Sequence, residues 1–575
     1  MFHSTRHWWI VLLALASVRG TLAADNPPEA AAAKDVDYGP AIARLEQVVQ
    51  EELQRGILAG AAIALVDDQR IVLAKGFGLA DKRRNVPATA QSVYRAGSIS
   101  KLFTAIAAMQ LVEAGKLDID QPVATYDPEL RIVVPFPDAG PITLRQLMCH
   151  RSGMIRESPV GSYFDPSEPG IAATVASIVP CALVLPPNTQ TKYSNVGPTI
   201  TGHVVELVAG MPFAEYQRNH VLGPLGMQNS SFLISDRLQT HLAPGNMLLA
   251  DGHGGFDEIE APLFELGTLS AGNLFTTAED LARFLMFLIA EGRVADTQLI
   301  KPETLQKMFT PQLVDDDEGY GLGFHVEKFA GHKAVGHMGM VYGHTALAKA
   351  IPAHKIGVVV LTNEDVAGGP VQKLGEAALE LMLEAKLGQQ PKEKPKPIHL
   401  EPEELAPFAG DYESQSYWAR IDVADGILKA EVSGQRMTFT PVAKDEFLSD
   451  GRFTHRASCK FRRDDSLKPA GFSLLEQTFR RVDPEKRADV PDAWTKFLGS
   501  YGPEFIPLIV SIKHGHLYAM TENLVDYRLT PMNRTVFKLP PGMYVDEQLI
   551  FQVAPDGKVY SVILANMTLP RRPEN

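Results

Sequence analysis

The composition of the chain changes abruptly between Gly388 and Glu404, in a segment rich in glutamine, proline and lysine. Such a segment is typical of a semi-rigid linker. Before it, apolar residues recur with helical and strand periods, and after it short β-type runs are separated by turn residues. A chain of 575 residues is also too long for one hydrophobic core. We therefore predict a mixed α and β domain at 36–386, a linker at 387–404, and an all-β tail with a separate core.

The tail contains a repeated pattern. Short matching words follow each other in the same order, with a shift of 89 or 90 residues. The matching pairs include Phe408 and Phe497, Gly410 and Gly499, Tyr412 and Tyr501, Leu428 and Leu517, Phe447 and Phe537, Phe461 and Phe551, and Arg481 and Arg571. A nearly constant shift indicates two tandem copies of one β unit, at 405–484 and 492–573. Each copy is long enough for a small antiparallel barrel, and one irregular β domain is the alternative.

The mixed region begins and ends with strand-like segments, and helical patterns lie between them. The strand-like runs are 61–66, 70–77, 333–337, 344–351 and 355–361. The helical patterns run from Ser98 to Gly115 and over 144–150, 198–209 and 277–290. Strands at both ends of a region favour one antiparallel sheet that joins its two termini, flanked by helices. The predicted fold class is α+β, followed by two small β-barrels.

The first 24 residues have the pattern of an export signal. Arg6 and His7 precede an apolar run from Trp8 to Val18, and small residues follow. The run is short for a bilayer span, although an uncleaved anchor is the alternative. We expect a periplasmic or secreted protein that is not inserted in a membrane after signal cleavage.

Charge and cysteine content limit the remaining function classes. The chain carries 55 Lys and Arg against 68 Asp and Glu, a formal charge of −13, which disfavours nucleic acid or anionic lipid as partners. Three scattered cysteines do not make a disulfide framework, and buried free thiols are favoured over a bridge between Cys149 and Cys181. The histidine spacing matches no zinc pattern, so we predict no metal site.

Ser98-Ile-Ser-Lys101 begins one of the helical patterns, directly after Gly97. A spacing of three places Ser98 and Lys101 on one helical face, where the amine can reach the serine oxygen. Backbone N–H groups at a helix N-terminus also favour a developing negative charge. The pair is a candidate nucleophile and base, although such a tetrapeptide is common by chance.

Tyr193-Ser-Asn195 provides a second candidate group, just before a predicted helix. A tyrosine beside a lysine can have a lowered pKa and then act as a base for a serine hydroxyl. Asn195 has both a donor and an acceptor, which can hold Lys101 and a substrate carbonyl. The structural alternative is a capping turn with a half-buried tyrosine.

His337-Met-Gly339 lies at the end of a predicted strand. An edge strand beside a nucleophile can align a substrate by β-type pairing and supply an oxyanion N–H, here from Met340. Because Gly339 has no side chain, a substrate can approach the backbone closely there. A structural histidine is the alternative interpretation of His337.

In this order, the three motifs resemble the signature motifs of the β-lactamase-related serine hydrolases, a group that includes class C β-lactamases, DD-carboxypeptidases, D-aminopeptidases and family VIII esterases. The segments 142–154, 224–227 and 271–281 are similar as well, so the resemblance covers residues 40–385. It implies a β-lactamase/transpeptidase-type domain with a helical subdomain. It also implies Ser98, Lys101 and Tyr193 as catalytic residues, with Asn195, His337, Gly339 and Met340 around the substrate and the oxyanion. The repeated tail is similar to the two C-terminal barrels of D-aminopeptidase, in which a tail loop shapes the cleft.

The third motif departs from the Lys-Thr-Gly form of β-lactamases and DD-carboxypeptidases. His337 stands where those proteins have a lysine that helps to bind a substrate carboxylate, and histidine is mostly neutral near pH 7. The predicted function is therefore acyl transfer on short peptides or amides, including D- or other non-standard residues, without a cofactor. The alternatives are a carboxylesterase, a DD-carboxypeptidase or weak β-lactamase, and a non-catalytic peptidoglycan-binding protein. Both a monomer and a homodimer are compatible with the sequence.

Overall fold

Strands from both ends of the mixed region form one antiparallel sheet. This is seen in a computed structural model that describes residues 36–250, 255–313, 316–390, 394–483 and 489–573. The predicted export signal lies outside these residues. In the described residues, no helix combines the length and apolar character that a membrane crossing requires. The strands of the mixed region are β1 (Gly60–Asp67), β2 (Arg70–Asp81), β3 (Val86–Pro87), β4 (Tyr94–Arg95), β5 (Asn246–Ala250), β6 (Phe256–Glu260), β7 (Phe275–Thr276), β8 (Arg293–Val294), β9 (Thr297–Gln298), β10 (Gly319–Tyr320), β11 (His325–Phe329), β12 (His332–Val341), β13 (His344–Ile351) and β14 (Ile356–Thr362).

The order of the main sheet is β10-β11-β12-β13-β14-β1-β2-β3, so the first strand pairs with the last. Ala61 of β1 is opposite Thr362 of β14, and Asp67 is opposite Ile356. Both strands are rich in β-branched and small apolar residues and are almost completely buried. This closure of the sheet confirms the predicted α+β fold class.

Helices cover both faces of the sheet. They are α1 (Gly39–Gln54), α2 (Ser100–Glu113), α3 (Leu144–Met148), α4 (Ile171–Ala176), α5 (Val196–Ala209), α6 (Phe213–Gln217), α7 (Asp236–Gln239), α8 (Leu269–Gly272), α9 (Ala278–Ile289), α10 (Pro302–Met308), α11 (Gly368–Leu387) and α12 (Pro402–Leu405). Helix α11 packs on β13, β14 and α1, and α9 packs on β1, β13 and β14. Helices α2, α5 and α8 pack on one another and form the centre of the helical subdomain. Helix α2, which follows Ser98, has buried side chains on all its sides and therefore lies in the interior of this subdomain.

The first copy of the repeat is a closed eight-stranded barrel. Its strands are β15 (Gly410–Glu413), β16 (Trp418–Ala424), β17 (Ile427–Val432), β18 (Gln435–Ala443), β19 (Glu446–Gly451), β20 (Ala457–Arg463), β21 (Pro469–Leu474) and β22 (Gln477–Arg481). Alternate residues point into a core of aromatic and aliphatic side chains. Close packing joins it to α11, since a Cβ on Gly369 would lie 2.2 Å from the carbonyl oxygen of Gly451.

Among the described residues, the second copy has nine strands where the first has eight, and they form two sheets around one core. The four-stranded sheet contains β23 (Gly499–Tyr501), β24 (Leu508–Lys513), β25 (His516–Met520) and β26 (Asp526–Arg528). The five-stranded sheet contains β27 (Thr530–Pro531), β28 (Val536–Lys538), β29 (Gln548–Val553), β30 (Val559–Leu564) and β31 (Met567–Pro570).

Equivalent hydrogen bonds in the two copies agree with the sequence repeat. The Tyr412 hydroxyl donates to the carbonyl of Phe408 at 2.7 Å, and the Tyr501 hydroxyl donates to the carbonyl of Phe497 at 2.8 Å. Arg481 and Arg571 each donate to two backbone carbonyls that flank these phenylalanines. The repeated sequence matches therefore include the residues that link the first and last segments of each copy.

The expectation that the tail has a separate core is wrong for its second copy. Its apolar residues form one buried cluster with Phe164, Met247, Phe264, Leu266, Val341 and Tyr342 of the mixed domain. The second copy follows the first along the chain and still packs directly on the mixed domain. The three cysteines are free and buried, as favoured from the sequence.

Candidate active site

Ser98 lies in a tight turn between β4 and α2. The helix begins at Ser100 and not at Ser98 as predicted, because Gly97 has a φ of +53° and residues 98–102 start as i+3 turns, with the Lys101 N–H donating to the Ser98 carbonyl at 3.1 Å. The Ser100 hydroxyl donates to the Gly97 carbonyl at 2.6 Å and accepts from the Leu274 N–H at 3.0 Å. This turn leaves Ser98 half-buried at the edge of a cavity.

Lys101 is buried against three oxygen atoms. Its Nζ lies 2.9 Å from Ser98 Oγ, 2.8 Å from Asn195 Oδ1 and 2.8 Å from the Ala271 carbonyl oxygen. Only 2% of the residue is exposed. Burial lowers the pKa of Lys101 well below its ordinary value, although Glu157 works to raise it. A neutral amine has two N–H donors and one lone pair, and the two carbonyl oxygens take the donors. The lone pair then faces the Ser98 hydroxyl.

Tyr193 completes the contacts of the serine. Its hydroxyl donates to Ser98 Oγ at 2.7 Å, and Lys101 Nζ lies 4.9 Å from the centre of its ring. The expectation of a lowered phenol pKa is wrong, because burial raises the pKa of Tyr193 above its ordinary value. Tyr193 is therefore a neutral donor at rest. Lys101 is the group whose pKa is shifted so that its neutral, basic form is favoured.

The edge of β12 passes close to the Ser98 turn. A Cβ on Gly339 would lie 1.9 Å from the Ala96 carbonyl oxygen and 3.0 Å from the Ser98 nitrogen, so glycine is required there. The Met340 carbonyl accepts from the hydroxyl of Tyr163, a residue of the cavity wall. In an antiparallel strand the N–H and C=O of one residue point to the same edge. The Met340 N–H therefore points into the cavity near the Ser98 N–H.

His337 lies on β12 in the same cavity and is neutral. Its Nδ1 faces the Met338 carbonyl, and Nε2 has no hydrogen-bond partner among the described residues. Burial lowers the pKa of His337 to about 3, and Lys101 adds to the effect. The position that holds a cation in the Lys-Thr-Gly form is therefore uncharged here.

Asn195 links Lys101 to a residue that the motifs did not predict. Its Nδ2 donates to Glu157 Oε1 at 2.6 Å, which orients Oδ1 toward Lys101. Glu157 is completely buried. Burial raises its pKa to about 7, against the lowering effect of the neighbouring Arg156. The carboxyl group thus controls both the orientation of the Asn195 amide and the charge near Lys101.

His150 and Tyr320 form an aromatic wall beside Tyr193. The ring centre of His150 lies 4.4 Å from the ring centre of Tyr193 and 4.7 Å from that of Tyr320. The Ser194 N–H donates to His150 Nδ1 at 3.3 Å, and burial lowers the pKa of His150 well below its ordinary value. His150 is a neutral packing residue that fixes the Tyr193 ring.

The cavity has a volume of about 510 Å³ and is lined by both the mixed domain and the second β copy. The second copy contributes Ile506, Glu522, Asn523, Gly542, Met543 and Val545 to its wall. The seven site residues predicted from sequence all lie in or beside this cavity. Glu157 and the tail residues were missed because no local motif marks them, although Arg156-Glu157 follows the segment 142–154 almost directly.

Known proteins are similar to this chain in sequence and in fold. A model of the Beta-lactamase family matches residues 45–382. Penicillin-binding protein 4 of Amycolatopsis lactamdurans is 28% identical over 372 residues, which is 62% of this chain and 93% of that protein. The octameric penicillin-binding protein homologue from Pyrococcus abyssi is similar in structure, with a TM-score of 0.55, 26% identity, and coverage of 76% of this chain and 99% of that one. The D-amino acid amidase of Ochrobactrum anthropi SV3 shares the fold, with a TM-score of 0.51, 20% identity, and coverage of 60% and 99%.

Proposed function

Because the chain belongs to the Beta-lactamase family and is a serine hydrolase of the β-lactamase and penicillin-binding-protein superfamily, we propose that it hydrolyses amide bonds of short peptides through an acyl-enzyme on Ser98. The substrates include peptides with D- or other non-standard residues. The observation that carries this proposal is the placement of a buried, low-pKa amine and a phenol on the same serine hydroxyl.

In the acylation step, Ser98 Oγ attacks the carbonyl carbon while its proton passes to the Lys101 lone pair. The two carbonyl oxygens that hold the amine keep that lone pair directed at the serine. The Tyr193 hydroxyl, at 2.7 Å from Ser98 Oγ, then donates its proton to the leaving nitrogen and is reprotonated from Lys101. Nitrogen requires this proton because an amide anion is a poor leaving group.

The negative charge on the substrate oxygen develops between the N–H groups of Ser98 and Met340. Two backbone donors that are fixed before the reaction stabilise the tetrahedral intermediate without reorganisation. Water then attacks the ester carbonyl of the acyl-enzyme by the reverse proton path, with Lys101 and Tyr193 taking the proton from water and returning one to Ser98 Oγ.

The charges of the cavity favour a substrate that does not depend on a carboxylate. Arg156 lies 3.5 Å from Glu157 and 3.4 Å from Glu522, and Lys192 lies 2.7 Å from Glu547. His337 is neutral, so the cationic side chains in the described wall of the cavity are already paired. A substrate carboxylate would have to compete with buried glutamates, which is costly. This supports an amidase or peptidase over a DD-carboxypeptidase or β-lactamase.

A substrate panel tests the proposal. The panel contains D- and L-aminoacyl anilides, a short-chain ester, a D-Ala-D-Ala peptide and a chromogenic cephalosporin, each measured with wild type and Ser98→Ala. We expect the anilides to give the highest kcat/KM among the amide substrates and Ser98→Ala to abolish every activity. A preference for the ester alone would assign an esterase. Undiminished hydrolysis by Ser98→Ala would refute the mechanism.

A further inference from the structure

A network of buried charged groups joins the second β copy to the active site. The members are Arg156, Glu157 and Lys192 of the mixed domain and Glu522 and Glu547 of the second copy, each less than one-tenth exposed. Burying so many charges costs stability unless they are closely paired, so packing alone would be served better by apolar residues. The network therefore indicates a role other than packing.

Glu547 binds two separate segments of the active site with one oxygen atom. Its Oε1 accepts from Lys192 Nζ at 2.7 Å and from the Arg156 backbone N–H at 2.9 Å. Lys192 directly precedes Tyr193, and Arg156 directly precedes Glu157. One carboxylate thus holds the side chain of the residue before the phenol and the backbone of the residue before the carboxyl that orients Asn195.

Glu522 fixes the side chain of Arg156 from the other end. One carboxylate oxygen lies 3.4 Å from Arg156 Nε, and the Tyr544 hydroxyl donates to both oxygens at 3.1 and 3.0 Å. The guanidinium lies 5.6 Å from the centres of both the Tyr193 and the Tyr544 rings. It is therefore held between the catalytic phenol and a tyrosine of the second copy.

The network ends at the catalytic amine. The Asn195 N–H donates to the Arg156 carbonyl at 2.8 Å, and the Asn195 amide bridges Glu157 and Lys101. Rotation of this amide would direct its NH₂ group at Lys101 and remove one of the two acceptors that direct the lone pair. The position of Glu157 consequently decides whether Lys101 is oriented for proton transfer.

We propose that Glu547 and Glu522 are positioning residues for acylation, so that the second β copy is part of the catalytic apparatus and not only a wall of the substrate cavity. They act through Arg156, Lys192 and Glu157 on Tyr193, Asn195 and Lys101. This inference rests on the proposed role of Ser98 as nucleophile. It predicts that changes in the tail alter the reactivity of the serine itself, even toward a reagent too small to depend on the tail for binding.

The test measures the second-order rate at which an ethyl fluorophosphonate labels Ser98 in the full-length chain. Labelling forms the Ser98 Oγ–phosphorus bond, breaks the phosphorus–fluorine bond, releases fluoride and passes the serine proton to Lys101. We expect Glu547→Gln and Glu522→Gln to slow labelling about 10- to 100-fold, since misplacement of catalytic groups by about 1 Å has effects of this order. The pH profile of labelling should also move, because Glu157 and Arg156 both act on the pKa of Lys101.

Asp526→Asn is the matched control. Asp526 is a buried carboxyl of the same second copy, and its Oδ2 accepts from Trp418 Nε1 at 2.9 Å, away from the network. We expect this variant to label at the wild-type rate. If Glu547→Gln does not fold, Glu522→Gln and Tyr544→Phe carry the same prediction.

Three results would overturn the proposal. The first is a wild-type labelling rate and pH profile in folded Glu547→Gln and Glu522→Gln, even if their peptide hydrolysis falls, because the tail would then act on substrate binding alone. The second is an equal loss of labelling in Asp526→Asn, which would indicate a general loss of packing. The third is wild-type labelling at a residue other than Ser98, which would refute the nucleophile assignment itself and is distinguished by mapping the label.

Discussion

Replacing Gly339 by alanine should separate the strand β12 from the nucleophile turn. The added Cβ would lie 1.9 Å from the Ala96 carbonyl oxygen. Carbon and oxygen atoms approach to only about 3.4 Å, so the strand must move by roughly 1.5 Å. This displaces the Met340 N–H from the position where it meets the substrate oxygen. Loss of one oxyanion donor costs on the order of 10²–10³ in rate, and we expect kcat/KM to fall by that factor.

Gly336→Ala is the matched control for this prediction. Gly336 lies on the same strand as Gly339. A Cβ on Gly336 would lie 2.0 Å from the Ala348 carbonyl oxygen, on the side of β13 and away from Ser98. Both variants should lose thermal stability, as measured by circular dichroism. Anilide hydrolysis below both unfolding transitions should be reduced far more in Gly339→Ala. Activity of Gly339→Ala within threefold of wild type, or an equal loss in both variants, would contradict the proposed role of the Met340 N–H.

Three further predictions concern the base, a buried acid and the repeat. Lys101→Met should reduce the single-turnover acylation rate by about 10²–10⁴, the usual contribution of a general base, and a smaller loss would argue against that role. Burial raises the pKa of Asp365 from 3.8 to about 7, so folding favours its protonated form, and stability is lost as the pH rises from about 4 to about 7. Asp365→Asn should therefore be more stable than wild type at pH 8 but not at pH 4 in urea unfolding, and equal effects at both pH values would contradict this. Tyr412→Phe and Tyr501→Phe should each cost about 1 kcal/mol in the same assay, and a cost at only one site would show that the two hydroxyls are not equivalent.

The sheet of the mixed domain was predictable because its strands are long and strongly apolar. β1 and β14 are buried along almost their whole length, so each appears in the sequence as a continuous apolar run. The division of the second copy into two sheets was not predictable. The second copy also packs on the mixed domain, for example with the Phe505 ring centre 5.6 Å from that of Phe264, and these segments are far apart in sequence.

The site was predictable where chemistry and spacing coincide. Ser98 and Lys101 are three residues apart, and that local relation survived even though the helix starts two residues later than expected. The pKa of Tyr193 was misjudged because burial depends on the complete fold and outweighs a neighbouring charge. Glu547 is 355 residues from Lys192, and no local pattern indicates a pair of that separation.

The identity of the residue that is acylated during turnover tests the proposed mechanism most directly. The enzyme is quenched in acid while it hydrolyses a slow ester or anilide, digested with trypsin and analysed by mass spectrometry. If Ser98 is the nucleophile, one acyl adduct forms on the peptide of residues 96–101, is located at Ser98, and accumulates in the steady state when deacylation is slow. An adduct at Ser100 or outside this peptide, with Ser98 unmodified throughout turnover, would contradict this mechanism.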